Sequence, residues 1–125
     1  MRTLVAIITL CLLAACSHSP SRDEAGEQAL AYYQALLDGR YADFVAGLDT
    51  GDSIDTDYRT QLEANARLFM ERQQQEHAGI RSVRLLSTRG DSLTAQSFLV
   101  FCFGDSANEQ VVVPMVKRGN RWLMR

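Results

Sequence analysis

Chemistry in this chain is confined to a few places: three cysteines, two histidines, and a nine-residue stretch at 49–57 that gathers Asp49, Asp52, Asp55 and Asp57. A cysteine attacks as its thiolate, which needs a neighbouring cation or an imidazole base. Cys102 has neither in its vicinity along the chain. It sits inside the apolar run Phe98-Leu99-Val100-Phe101-Cys102-Phe103 and reads as a small buried hydrophobe. Gly-Asp-Ser occurs at 51–53, 90–92 and 104–106, but all three residue types form turns, and no histidine follows His77 to activate a serine. The four aspartates fail the calcium-loop register. Counted from Asp49, Ile54 stands where glycine is required and Thr60 where a bidentate glutamate belongs, so loop and helix-cap duty is expected of them. Zinc would need a cluster of Cys and His that the chain lacks. The expectation is no metal, no cofactor and no catalytic residue.

Cys16 differs from the other two cysteines. It closes a stretch with Arg2 as its single charge, a predominantly apolar run over residues 4–15, and the small residues Ala14 and Ala15 directly before the thiol. A membrane-spanning helix needs ~20 apolar residues and a signal peptide's apolar region only ~7–15, so the run fits the second class. An ordinary secretory signal with an incidental cysteine, or an uncleaved anchor, also satisfies these residues. Leu13-Ala14-Ala15-Cys16, however, resembles the lipobox of bacterial lipoproteins. That resemblance implies removal of residues 1–15 as a signal peptide, a diacylglyceryl group on the Cys16 sulfur, and an acyl chain such as palmitate on the freed amine. Two or three chains, at ~0.8 kcal/mol per buried CH₂, anchor a protein firmly to a membrane. Ser17 rather than Asp follows the cysteine. In that family this favours the outer membrane, with the protein facing the periplasm.

Without residues 1–15 the chain has 12 basic and 15 acidic side chains, net −3. That balance gives no electrostatic footprint for nucleic acid. With Cys11 removed and Cys16 lipidated, Cys102 has no partner for an intramolecular disulfide. Residues 16–21 form the lipidated cysteine and a short tether, and residues 22–125 suit one domain.

Ser21 and Glu24 have the spacing of a capping box, followed by Ala25, Ala29, Tyr32 and Leu36 at helical period with Leu30, Tyr33 and Leu37 alongside. Gly39 ends this helix. Tyr41, Phe44, Val45 and Leu48 predict a shorter one. A third spans 57–77, with Tyr58, Leu62, Ala66 and Phe69 inward, Glu63 four residues before Arg67, and His77 solvated at its end. From residue 80 the period becomes that of strands, at 80–89, 92–104, 109–117 and 121–125, joined by short turns into an antiparallel meander. Pro114 within the third strand must either face away from a partner or mark a bulge. Lys117, Arg118, Arg121 and Arg125 form a basic patch, read as protection of an edge strand or as a contact for lipid headgroups.

Three helices followed by a curved four-stranded antiparallel sheet, the Tyr32-Tyr33 start continued by Leu36-Leu37-Asp38-Gly39, the Gly79-Ile80 passage into the sheet, and Trp122 in the last strand resemble the nuclear transport factor 2-like, or cystatin-like, superfamily. The resemblance implies an α+β cone-like fold with a pocket at its open end and association through the sheet. Tyr33, Tyr41, Phe69, Phe98 and Trp122 are the candidates for lining that pocket. Relatives of this architecture include isomerases and dehydratases with an acid or base in the cone. Here residues 92–104 and 110–116 contain no acid before Gly104, so a non-catalytic binding module is expected and a small-molecule enzyme is the alternative. Residues 98–103 and 111–113 are apolar on both alternating faces, which predicts either a second copy or another envelope protein on the outer sheet face, or strand twist and a bulge at Pro114 that tuck these residues into one core.

Overall fold

The computed structural model describes residues 20–51 and 54–125; residues 1–19, including Cys16, lie outside them. Helix α1 runs Pro20–Leu37, α2 Tyr41–Ala46 and α3 Thr56–His77; strands β1 Ile80–Gly90, β2 Thr94–Phe103, β3 Asn108–Arg118 and β4 Arg121–Met124 form one sheet in chain order. Each neighbouring pair is antiparallel. This is the α+β arrangement expected, with the helices packed on an open four-stranded sheet.

The buried row of α1, Ala25, Ala29, Tyr32 and Leu36, follows the helical period and meets the inner sheet face, where Val83, Ala95, Leu99, Phe101, Val113, Met115, Trp122 and Met124 are buried. Small residues bring α1 close. A Cβ at Gly26 would collide with the Thr88 hydroxyl on β1, which explains a helix-interior residue that otherwise costs ~1 kcal/mol relative to alanine. The Tyr32 hydroxyl donates to the Trp122 carbonyl at 2.7 Å and ties α1 to β4.

Three local expectations are corrected. Ser21 lies inside the first turn of α1 and does not cap it; its hydroxyl donates to the Ser92 carbonyl at 3.3 Å and accepts from Lys117 Nζ at 3.2 Å. Tyr58 is 51% exposed, because α3 begins clear of the sheet and among its residues only Ala66 is buried. His77 is not merely solvated. Its ring stacks on Phe103 at 4.3 Å and its Nδ1 lies 2.9 Å from Asp105 Oδ2, pinning the end of α3 to the β2–β3 turn.

Pro114 makes no bulge, since β2 and β3 pair without a register shift. Its carbonyl accepts from the Arg125 N–H at 2.9 Å, so its nitrogen faces Arg125, just beyond β4, and away from the continuous β2 pairing. The bulges lie in β1, between Ile80 and Ser82 and between Leu85 and Ser87. The far margin of β4 is covered by chain rather than by charge: Leu48 forms a parallel bridge with Met124, Met124 N–H donates to the Gly47 carbonyl, and Asp49 N–H donates to the Met124 carbonyl, both at 2.7 Å. Arg118 pairs with Asp49 at 3.0 Å and Arg121 donates to the Ala46 carbonyl at 3.3 Å, so this part of the basic patch fastens that segment in place.

Candidate functional site

Ala66 is the buried residue of α3, and a gap remains between the three helices. It is a cavity of about 250 Å³, lined by Tyr33 and Leu36 of α1, Phe44 of α2, Leu48, and Leu62, Asn65, Ala66 and Phe69 of α3. The helical row that supplies Tyr33 is the one beside the core stripe: Leu30, Tyr33 and Leu37 recur at i, i+3 and i+7 and are half-buried against the core. Tyr32 and Tyr33 thus serve two different sides of α1.

Tyr33 stands at the head of an aromatic series. Its ring meets Phe44 edge-on at 5.4 Å and Phe101 at 5.5 Å; Phe101 meets Phe103 at 6.2 Å, and Phe103 carries the stacked His77. The series runs from α2 to the far end of α3, and its first two members, Tyr33 and Phe44, line the cavity. Burial pushes the Tyr33 phenol above its ordinary pKa, so it stays protonated and can donate a hydrogen bond. No hydrogen bond joins its hydroxyl to another described residue. Asn65 adds an amide, with both donor and acceptor capacity. The remaining lining is aliphatic and aromatic.

Such a site can hold an apolar body and direct one polar atom. At about 250 Å³ it exceeds by far the ~30 Å³ share of a water molecule and lies just under the ~300–1,000 Å³ of drug-sized pockets. No carboxylate or imidazole is among the lining residues. Among the described residues no three His, Cys, Asp or Glu side chains gather as a metal site.

The five residues expected to line a pocket are dispersed. Tyr33 and Phe69 line the cavity. The Tyr41 ring carries the Arg67 guanidinium at 5.3 Å, so Arg67 serves α2 rather than the expected pair with Glu63. Phe98 lies on the opposite sheet face under Arg89, at 5.6 Å from its guanidinium carbon. Trp122 is buried beneath α1, with Lys117 Nζ at 6.0 Å from its ring. Phe44, Leu48 and Leu62 are cavity residues whose inward direction is legible in the helical period, while Asn65 has no signal in sequence, being one polar residue on a largely polar helix.

Two other arrangements resemble catalytic pairs. His77 and Asp105 stand at the surface, both partly exposed, and the imidazole first and the Ala107 N–H second hold the Asp105 carboxyl below its usual range. Ser21 and Lys117 are within hydrogen-bond reach, but the serine proton is directed at the Ser92 carbonyl and the lysine is the donor, so the geometry is that of a clasp.

No family model matches this chain, and no curated protein sequence matches it significantly. Solved structures do. A protein described as an NTF2-like transpeptidase from Campylobacter jejuni superposes with a TM-score of 0.57 at 16% identity, over 78% of this chain and 94% of that one. The solution structure of a SEC-C motif containing protein from Rhodopseudomonas palustris gives a TM-score of 0.54 at 18% identity, over 80% of this chain and 75% of that one. At these identities the likeness is one of fold. The described residues share the fold of these two proteins.

Proposed function

We propose that this NTF2-like domain is a non-catalytic binding module, held at the bacterial envelope by lipid on Cys16, that takes a small apolar ligand or one end of an acyl chain between its helices. The cavity beside Tyr33 carries this reading: an apolar lining with a protonated phenol and an amide suits a molecule with one hydrogen-bonding atom, and offers no acid–base pair for turnover. The transpeptidase description belongs to the Campylobacter protein. Cys102, the thiol within the described domain, is half-buried on the outer sheet face and opposite Ser82 and Asn108, away from both cavity and His77.

The anchor rests on the lipobox resemblance, and the outer-membrane, periplasm-facing placement on Ser17. Among the described residues no helix is long and apolar enough to cross a membrane. Mass spectrometry of protein taken from its native membrane tests the anchor: a diacylglyceryl Cys16 at the N-terminus is expected, and an intact Met1 or a bare thiol rejects it.

For the cavity, titration of residues 20–125 with a fluorescent fatty acid should give saturable binding. Ala66→Phe, which places a ring in the space, should remove it with the circular dichroism unchanged. Binding unaffected by that substitution puts the ligand elsewhere.

A second reading concerns the outer sheet face. Val112 is 47% and Leu86 54% exposed, with Phe98 half-buried between their strands, so this face presents apolar surface that a second copy or another envelope protein can cover.

A further inference from the structure

Leu93 is 65% exposed, more than any other large apolar side chain among the described residues. Its exposure is built in. The Asp91 carboxylate accepts from the backbone N–H groups of Leu93 at 2.8 Å and Thr94 at 2.9 Å, and the Asp91 N–H donates to the Thr94 carbonyl at 2.9 Å, which closes the β1–β2 turn around the leucine. The Leu93 carbonyl in turn accepts from the Lys117 N–H at 2.8 Å. A rigid turn that holds a leucine outward needs an apolar environment to gain from it.

The position of the turn identifies that environment. Ser92 is bonded to Ser21, in the first turn of α1, and Ser21 to Lys117, so the leucine lies beside the point where the chain enters the domain. Three residues separate Cys16 from Pro20. Four steps of ~3.3–3.6 Å allow at most about 14 Å between the lipidated residue and the start of α1. The β3–β4 hairpin leaves the sheet at the same end, because Thr94 pairs with Val116 and Val116 with Leu123; it brings Lys117, which donates to Ser21, Arg118, which pairs with Asp49 yet stays 60% exposed, and Arg121, which donates to the Ala46 carbonyl. The acids at this end are Asp91, whose carboxylate accepts from two backbone N–H groups, and Glu24 and Glu27 of α1, which share a groove with Asn120 and Arg121.

We propose that this end of the domain docks on the bilayer, with Leu93 among the upper acyl chains and the cations of the β3–β4 hairpin against anionic headgroups. The proposal rests on the lipid-anchor reading. Side chains at such an interface reach ~5–10 Å into the headgroup and acyl boundary, and basic residues near an anionic surface add to the attraction. Docking would fix the orientation of the domain, which a single point of lipid attachment leaves free.

The test uses full-length protein purified with its lipid and reconstituted in phosphatidylethanolamine–phosphatidylglycerol vesicles. Leu93→Trp and, as a comparison, Leu68→Trp on α3 are read by emission with and without lipids brominated on the upper acyl chain; Leu68 is 45% exposed. A blue shift and bromine quenching at position 93, absent at 68 and weakened when phosphatidylcholine replaces phosphatidylglycerol, are expected. Equal quenching at both positions, none at 93, or a blue shift at 93 without quenching, as a protein neighbour would give, overturns the docking surface. Mass spectrometry of the same sample keeps the two readings apart: lipid on Cys16 without quenching at 93 leaves the anchor standing and removes the docking, whereas an unmodified Cys16 removes both.

Discussion

Asp105 and Asp91 make the acid response of the domain a property of two side chains. Asp105 accepts from His77 and the Ala107 N–H; Asp91 accepts from the N–H groups of Thr94 and Leu93. Both carboxyls are held below their ordinary values, so each stabilises the fold above the unfolded carboxylate range near ~3.9 and loses that contribution as pH falls through its own depressed value. Asp91→Ala should therefore melt below the parent at neutral pH, with the gap closing in acid; a gap independent of pH would show that the carboxylate charge is not the cause. Gly26 makes a second residue-scale prediction. Alanine there improves helix propensity but drives a methyl into Thr88, and overpacking costs about 1–3 kcal/mol, so Gly26→Ala should lower the melting temperature and Thr88→Ala should recover much of the loss. The sequence shows both aspartates as turn residues, yet their partners across the turn come from register, which residue types alone do not specify.

At the scale of the element, α3 is the informative case. Its start is capped by Asp55, whose side chain accepts from the Asp57 N–H at 3.3 Å, and its end passes through Ala78 in the left-handed conformation, φ 57°. Asp55→Ala should cost about 1 kcal/mol in urea unfolding. Ala78→Gly should gain about 0.5–1 kcal/mol, since the side chain that opposes positive φ is removed. If both changes shift stability in the same direction, end effects do not govern this helix. The helical period located α3 to within a residue at its start, but periodicity assumes that apolar positions find partners. Tyr58 finds none at the sheet because the helix begins beyond its reach, and the half-burial of Leu62 and Phe69 marks the cavity. The strands and their meander were legible because four apolar, β-branched runs are divided by Gly-Asp, Asp-Ser and Gly-Asn turns. The candidate site was less so: aromatic residues announce burial without announcing which of two packed faces they serve, and Phe98 and Trp122 went to sheet faces while Tyr33 and Phe69 went to the helical gap.

For the whole molecule, the open question of association has a direct measurement. Leu86, Phe98 and Val112 are within one sheet face bordered by Arg84, Arg89, Gln96 and Gln110. If that face joins two copies, sedimentation of residues 20–125 should show a dimer at micromolar concentration, and Val112→Glu should return it to monomer without unfolding. A monomer in both cases reserves the face for a different protein or for none. Shape also limits how such a pair can form. Residues 47–49 lie along β4 as a short added strand, and at the opposite margin β1 is broken in two places and bears Arg81, Arg84 and Arg89. Neither border offers an unbroken row of backbone groups to a neighbour. Copies that meet edge to edge, however crowded, are thereby kept from stitching their sheets into a continuous ribbon.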